Sequence, residues 1–178
     1  MDLLLHTCCA PCLTYSAKVF KEEYENVTAF WYNPNIHPFK EYEKRFQALE
    51  KYEEKSDIDI IYLDDYDLER FLEEALKTEP RCRYCYMGRL GKTAEIAAEL
   101  GFQYFSTTMT ISPYQDHELI KEVGEEIAEE FDVDFIYKDL RSGFSEHHEM
   151  ANDMGLYKQS YCGCIFSEKD RYHRNLSE

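Results

Sequence analysis

The chain has 178 residues, 44% hydrophobic and 15% aromatic, which favours one domain with a real core and excludes a disordered chain. Its formal net charge is −16, from 36 acidic against 20 basic residues, which argues against broad nonspecific nucleic-acid binding and leaves only a local basic pocket for that role. The start MDLLLH lacks the basic segment and apolar run of a secretion signal, and no stretch approaches ~18 apolar residues, so a cytoplasmic protein without a membrane span is expected.

Residues 2–6 (DLLLH) read as a short buried strand. The loop HTCCAPC follows, carrying Cys8, Cys9 and Cys12. A helix from about Cys12 to Glu23 places Leu13, Ala17 and Phe20 at helical spacing. Residues 27–32 (VTAFWY) form a second strand, closed by the turn-rich NPNIHP. A helix over 38–54 puts Phe39, Tyr42, Phe46 and Leu49 on one face. Residues 58–63 are a third strand, and a helix over 67–77 carries Leu68, Phe71, Leu72 and Leu76. Pro80 ends that region just before RCRYCY, which holds Cys82 and Cys85.

A helix over 85–100 runs to Gly101, a suitable C-terminal cap. A strand over 102–107 leads to a loop at Ser112-Pro113, and Leu119, Val123, Ile127 and Phe131 mark a helix over 115–130. The last strand is 133–137, followed by a helix over 145–154 that stops at Gly155. YCGC, with Cys162 and Cys164, precedes a final helix from about Ile165. This alternation predicts a single α/β domain over 1–178, a mainly parallel, Rossmann-like sheet with helices on both faces. Sites in such sheets lie at the carboxyl ends of strands, where Cys8 and Cys9 fall.

Seven cysteines in three tight groups carry the functional signal. In a reducing compartment such groups read as metal-binding or catalytic rather than as structural disulfides. A helix N-terminus lowers a thiol pKa and favours a negative cluster, and both CxxC pairs abut a predicted helix start. Four thiolates suit either zinc or an iron–sulfur centre. Seven exceed one site, which points to a metal centre plus a thiol pair or a second metal. Gathering the groups from a large sheet resembles an active site more than a local zinc staple.

His6 reads as a hydrogen-bonded core residue, and His147 and His148 as mostly surface, outside any HExxH pattern. Asp116, beside His117, reads as a helix N-cap. Arg81, Arg83, Arg89 and Lys92, with Lys169, Arg171 and Arg174, are the basic residues near the cysteines. No phosphate-binding loop of the GxGxxG, GxxxxGK[ST] or SGGxDS type is present, so nucleotide use has no sequence support.

The motifs HTCCAPC, FWYNPNIHP, RCRYCY, TTMTISPYQ and YCGCIFS occur in this order over essentially the whole chain, and in this the sequence resembles the QueH family of epoxyqueuosine reductases. The resemblance implies an iron–sulfur, cobalamin-independent reductase that converts epoxyqueuosine to queuosine at the wobble position of tRNA. It also implies a distant relation to the PP-loop ATPase-like fold, with HTCCAPC in place of the nucleotide loop.

Opening an epoxide to an alkene consumes two electrons and expels oxygen as water, which fits a two-part cysteine site. Cys8, Cys9, Cys82 and Cys85 are the expected ligands of a 4Fe–4S cluster, two pairs from two loops, with Cys12 as the replacement for one of them. Cys162 and Cys164, freed by Gly163, are expected as a redox-active thiol–disulfide pair or as ligands of a second, mononuclear iron. Two alternatives stay open: a zinc- or cluster-stabilised RNA-binding module without chemistry, and a general thiol oxidoreductase. The electron donor, the general acid and the oligomeric state are not specified by the sequence.

Overall fold

The structure, a computed structural model, describes residues 1–173. The basic candidate Arg174 lies outside the described residues. Five parallel strands, β1 (Asp2–His6), β2 (Asn26–Trp31), β3 (Ile60–Tyr62), β4 (Tyr104–Thr107) and β5 (Asp134–Phe135), form one sheet in the order β3-β2-β1-β4-β5. Seven helices accompany them among the described residues: α1 (Ala10–Lys21), α2 (Phe39–Glu53), α3 (Leu68–Lys77), α4 (Arg81–Leu100), α5 (His117–Phe131), α6 (Phe144–Asp153) and α7 (Ile165–Tyr172). None is long and apolar enough to cross a membrane.

β1 is central, and its Leu3, Leu4 and Leu5 are fully buried, as a parallel strand covered on both faces requires. Alternation then splits the core. Leu3 and Leu5 pack with Leu13 and Ala17 of α1 and Leu49 of α2. Leu4 packs with Leu90 and Ala94 of α4 and Ile120 and Val123 of α5. The register pairs His6 with Phe30 on one side and Thr107 on the other, so the loops after β1, β2 and β4 leave the sheet at one level. This is the doubly wound α/β fold expected, with the first cysteines at the carboxyl edge.

Several boundaries differ, for local reasons. α4 starts at Arg81 rather than 85, because Pro80 stands as its N-cap, and Cys82 and Cys85 therefore occupy its opening turns at i, i+3 on one face. At its other end Gly101 adopts φ 80°, with Gly101 and Phe102 donating to Ala98 and Ala97, a Schellman close that delays β4 to Tyr104. α2 turns most of the expected face inward, with Tyr42 and Leu49 buried and Phe46 packed against the core, but the buried face also takes in charged residues and leaves Phe39 out. Glu41, Tyr42, Arg45, Ala48 and Leu49 are buried while Phe39 is 52% exposed. The reason is a buried ion pair, described next.

Candidate metal centre

The first cysteine group is made by the β1–α1 junction. Cys9 is extended (φ −172°, ψ 158°) and stands as the N-cap of α1, Pro11 occupies the first turn, and Cys12 follows one turn on. The three sulfurs of Cys8, Cys9 and Cys12 lie within 4.8 Å of one another, with Cys8–Cys9 at 3.8 Å and Cys9–Cys12 at 2.9 Å. Cys9 and Cys12 are buried and Cys8 half-buried. Hydrogen bonds from the Cys12 and Cys9 thiols hold the Cys8 thiol well below its ordinary pKa. Burial pushes Cys9 up, and its contact with Cys8 pushes Cys12 up. Three sulfurs in contact cannot all carry charge without a cation among them, so alone they keep one thiolate and two donors. Thr108, opening the 3₁₀ turn Thr108–Ile111 after β4, accepts from the Cys8 amide at 3.2 Å and lies 3.4 Å from its sulfur.

The second group comes from α4 and the segment before α7. Cys82 is exposed, and Cys85 is half-buried with its pKa raised to about 12 by burial. The charges of Cys82, Cys162 and Cys164 reach Cys85, so these four form one electrostatic neighbourhood. Among the described residues, however, no three of them come within the mutual ligand distance that Cys8, Cys9 and Cys12 reach.

Arg89 is buried against Cys85 and lies within the field of Cys8 as well. Only 2% exposed, it donates to the Cys85 sulfur at 3.0 Å and to the Cys85 carbonyl at 3.3 Å. Burial acts against its charge, but the fields of Cys85, Cys162 and Cys8 outweigh that and raise its pKa. A buried guanidinium whose counter-charges are thiols rather than carboxylates marks an interior prepared for thiolates.

The segment from Tyr157 to Cys164 forms a strap over the first cysteine group. Arg45, 1% exposed, pairs with Glu41 at 2.7 Å and donates to the carbonyls of Cys162 at 2.9 Å and Tyr161 at 3.0 Å. Tyr157 donates to the other Glu41 oxygen at 2.6 Å. The Gly163 carbonyl accepts from the His37 amide at 2.7 Å, and Tyr161 donates to the His37 carbonyl. Gln159 reaches down to donate to Cys9 at 2.9 Å. Gly163 has φ 151°, and a Cβ there would stand 3.2 Å from Asn35 and Ile36, so glycine is required on both counts.

All seven cysteines are free, so no disulfide joins Cys162 and Cys164 here, and the pair expected to be redox-active stands as two thiols. The strap turns their thiols to different partners. Cys162 accepts from Gln115 at 3.0 Å, while Cys164 is the N-cap of α7 and accepts from the Ser167 amide at 3.4 Å.

Other candidates resolve as follows. His6 is buried and hydrogen-bonded to Thr107 and the Tyr32 carbonyl, as expected. Asp116 caps α5 as expected, and His117 bonds Tyr137 and the Ser112 carbonyl. His147 is buried rather than surface, its Nδ1 without a partner. Arg83 is bound to Glu122 and Glu126, Lys92 to Glu95, and Arg89 is internal, so they form no basic rim. Arg81 is exposed and lies over Phe166 at 4.5 Å. Arg45, Gln115 and Gln159 were not singled out. Arg45 hides in the charged run EYEKRFQ, and its only signal is Glu41 at i−4.

The sequence profile of the family described as epoxyqueuosine reductase QueH matches residues 3–170. The chain belongs to the QueH family. An epoxyqueuosine reductase QueH of Dehalococcoides mccartyi is 41% identical over 96% of this chain and 94% of its own length. The QueH of Thermotoga maritima is 34% identical over 98% and 95%, and that of Streptococcus pyogenes 33% identical over 94% and 71%. Among solved structures, a predicted subunit of tRNA methyltransferase from Methanocaldococcus jannaschii aligns with TM-score 0.47 and 15% identity, over 85% of this chain and 74% of that one. The segments on which the resemblance rested, HTCCAPC, RCRYCY, TTMTISPYQ and YCGCIFS, supply both cysteine groups, Thr108 and Gln115.

Proposed function

We propose that this protein is an epoxyqueuosine reductase acting on the wobble nucleotide of tRNA. Family membership supports the activity, and the observation that carries the chemistry is the close group of Cys8, Cys9 and Cys12 sulfurs at the carboxyl edge of β1. The donor set suits a metal. Sulfurs within 4.8 Å of one another match the spacing of ligands that each reach one ion at ~2.3 Å. Cys8, Cys9, Cys82 and Cys85 are the proposed ligands of a 4Fe–4S cluster. Cys12, in contact with Cys9, is the proposed replacement for one of them, and Cys162 with Cys164 the proposed redox pair or ligands of a second, mononuclear iron. When bound, such a centre supplies electrons singly.

The chain's own groups complete the balance. Converting an epoxide to an alkene takes up two electrons and two protons and releases water. Oxidation of the Cys162–Cys164 dithiol to a disulfide releases two electrons and two protons, and an external donor must then re-reduce the pair. Arg89 offsets negative charge at the cysteines, and the strap with Gln159 covers Cys9 and excludes water.

The test is anaerobic purification with iron and sulfide analysis, followed by turnover on an RNA carrying epoxyqueuosine. Cys82→Ala is expected to lose iron and colour. Cys164→Ala is expected to keep both and lose turnover. A colourless zinc protein, or full turnover by Cys164→Ala, overturns the reading.

A further inference from the structure

A solvent-open cleft of about 140 Å³ lies between the loop after β2, the start of α3 and the first two turns of α4. That is smaller than the ~300–1,000 Å³ of sites that enclose a whole ligand, so an occupant would seat one part inside and leave the rest at the open mouth. Cys85 forms part of its wall, so the cleft opens directly on the cysteine site. Tyr32, Phe71 and Tyr84 supply aromatic surface, while Asp65 and Arg70 lie towards its mouth.

Two features are not explained by folding alone. Asn35 lines the cleft at 1% exposure, yet its side-chain oxygen has no hydrogen-bond partner. A buried acceptor of this kind is costly unless something donates to it. Gly88 sits inside α4, one turn beyond Cys85, where glycine is the poorest helix former after proline. A Cβ at that position meets nothing within 4 Å. The protein's own packing therefore does not demand glycine there, but an open cleft does. Arg70 is exposed and makes no ion pair among the described residues, unusual in so acidic a chain.

We infer that this cleft seats the extruded wobble nucleotide, with Gly88 keeping its wall open, Asp65 and Asn35 reading the modification and Arg70 holding an adjacent phosphate. The inference rests on the reductase reading and names how that substrate is recognised. The substrate is a 7-deazaguanine whose side arm carries a secondary ammonium and an epoxidised cyclopentane diol. Tyrosine faces offer stacking to a splayed base. The Asp65 carboxylate matches the ammonium, and the Asn35 oxygen, deep near the cysteines, matches a ring hydroxyl. A nucleotide in an anticodon loop is already unpaired, so its extrusion costs little.

The experiment measures affinity by fluorescence anisotropy for two anticodon stem–loops, one with queuosine and one with guanosine at the wobble position. Queuosine carries the same ammonium and diol as the substrate. Parent protein is expected to favour the queuosine loop at least tenfold. Gly88→Leu is expected to erase that preference while melting at or above the parent temperature. Asp65→Asn, at a half-buried carboxylate that caps no helix, is expected to cut the preference at least fivefold and to raise KM more than it lowers kcat. The inference is overturned if both variants keep the parent's preference and KM while the parent reduces epoxyqueuosine RNA, an outcome that leaves the reductase reading intact. A parent that neither binds nor reduces such RNA overturns both.

Discussion

Replacing Arg45 by methionine removes the guanidinium that joins α2 to the strap. In the parent it neutralises Glu41 at 2.7 Å and satisfies the carbonyls of Tyr161 and Cys162, all inside a region where Arg45 is 1% exposed. Methionine fills much of the same volume, so the effect is electrostatic rather than a cavity. Stranding one member of a buried pair costs about 3–5 kcal/mol. The two carbonyls lose donors as well, but they lie on a segment that can shift towards water, so their cost does not simply add. Against a total stability of about 5–15 kcal/mol this is a large fraction. For a domain of this size it corresponds to a fall in Tm of about 6–20 °C. The assay is thermal unfolding of the metal-free, reduced protein, joined to hydrogen exchange over residues 157–164, which should become faster than the sheet. Adding Glu41→Gln should recover ~0.5–3 kcal/mol, because the stranded carboxylate is gone. A Tm within ~2 °C of the parent, with unchanged exchange in the strap, refutes the reasoning.

Burial holds His37 to a pKa of about 4, from an ordinary 6.5. The unfolded chain therefore takes up the proton first, so the contribution of neutral His37 is complete above pH 6.5 and is lost as pH falls from 6.5 towards 4. Urea midpoints over that window should fall more steeply for the parent than for His37→Phe, and parallel curves would count against it. A Cβ on Gly124 would stand 2.2 Å from the Phe135 ring, so Gly124→Ala should cost on the order of 1–3 kcal/mol in urea unfolding. In metal-free protein, timed alkylation read by mass spectrometry should modify exposed Cys82 and Cys162 before buried Cys9 and Cys12; the reverse order would contradict the placement of the strap.

The alternation of elements, the central LLL strand and the position of Cys8 and Cys9 at its end were all legible, because burial on both faces leaves an unbroken apolar run. β5 is only two residues long against the expected 133–137: Ile136 still donates to the Phe105 carbonyl of β4, but the strand pairing goes no further. The inward face of α2 was legible through Tyr42, Phe46 and Leu49, but the buried Glu41–Arg45 pair and the outward Phe39 were missed because periodicity counts apolar residues. Arg89 was read only as one of the basic residues near the cysteines, with no sign that it is buried. Its burial depends on cysteines far away in sequence, which no local window contains. Gly88 and Asn35 gave no signal at all, since what distinguishes them is empty space and an unanswered oxygen.

The strap sets an order of events. Cys8, Cys9 and Cys12 belong to the first βα unit made by the ribosome, Cys82 and Cys85 arrive midway, and Gln159, Cys162 and Cys164 follow only after all five strands. Domains organise as they are synthesised. The early thiols must therefore wait, reduced and open to solvent, until Arg45 captures the carbonyls of Tyr161 and Cys162. During that interval the sheet can form while the first cysteine group still has an open side, and if the protein holds the proposed centre, that is when the metal would enter. Closure by the strap would then make loading hard to reverse, and a chain stalled before residue 159 would lack the Gln159 contact to Cys9.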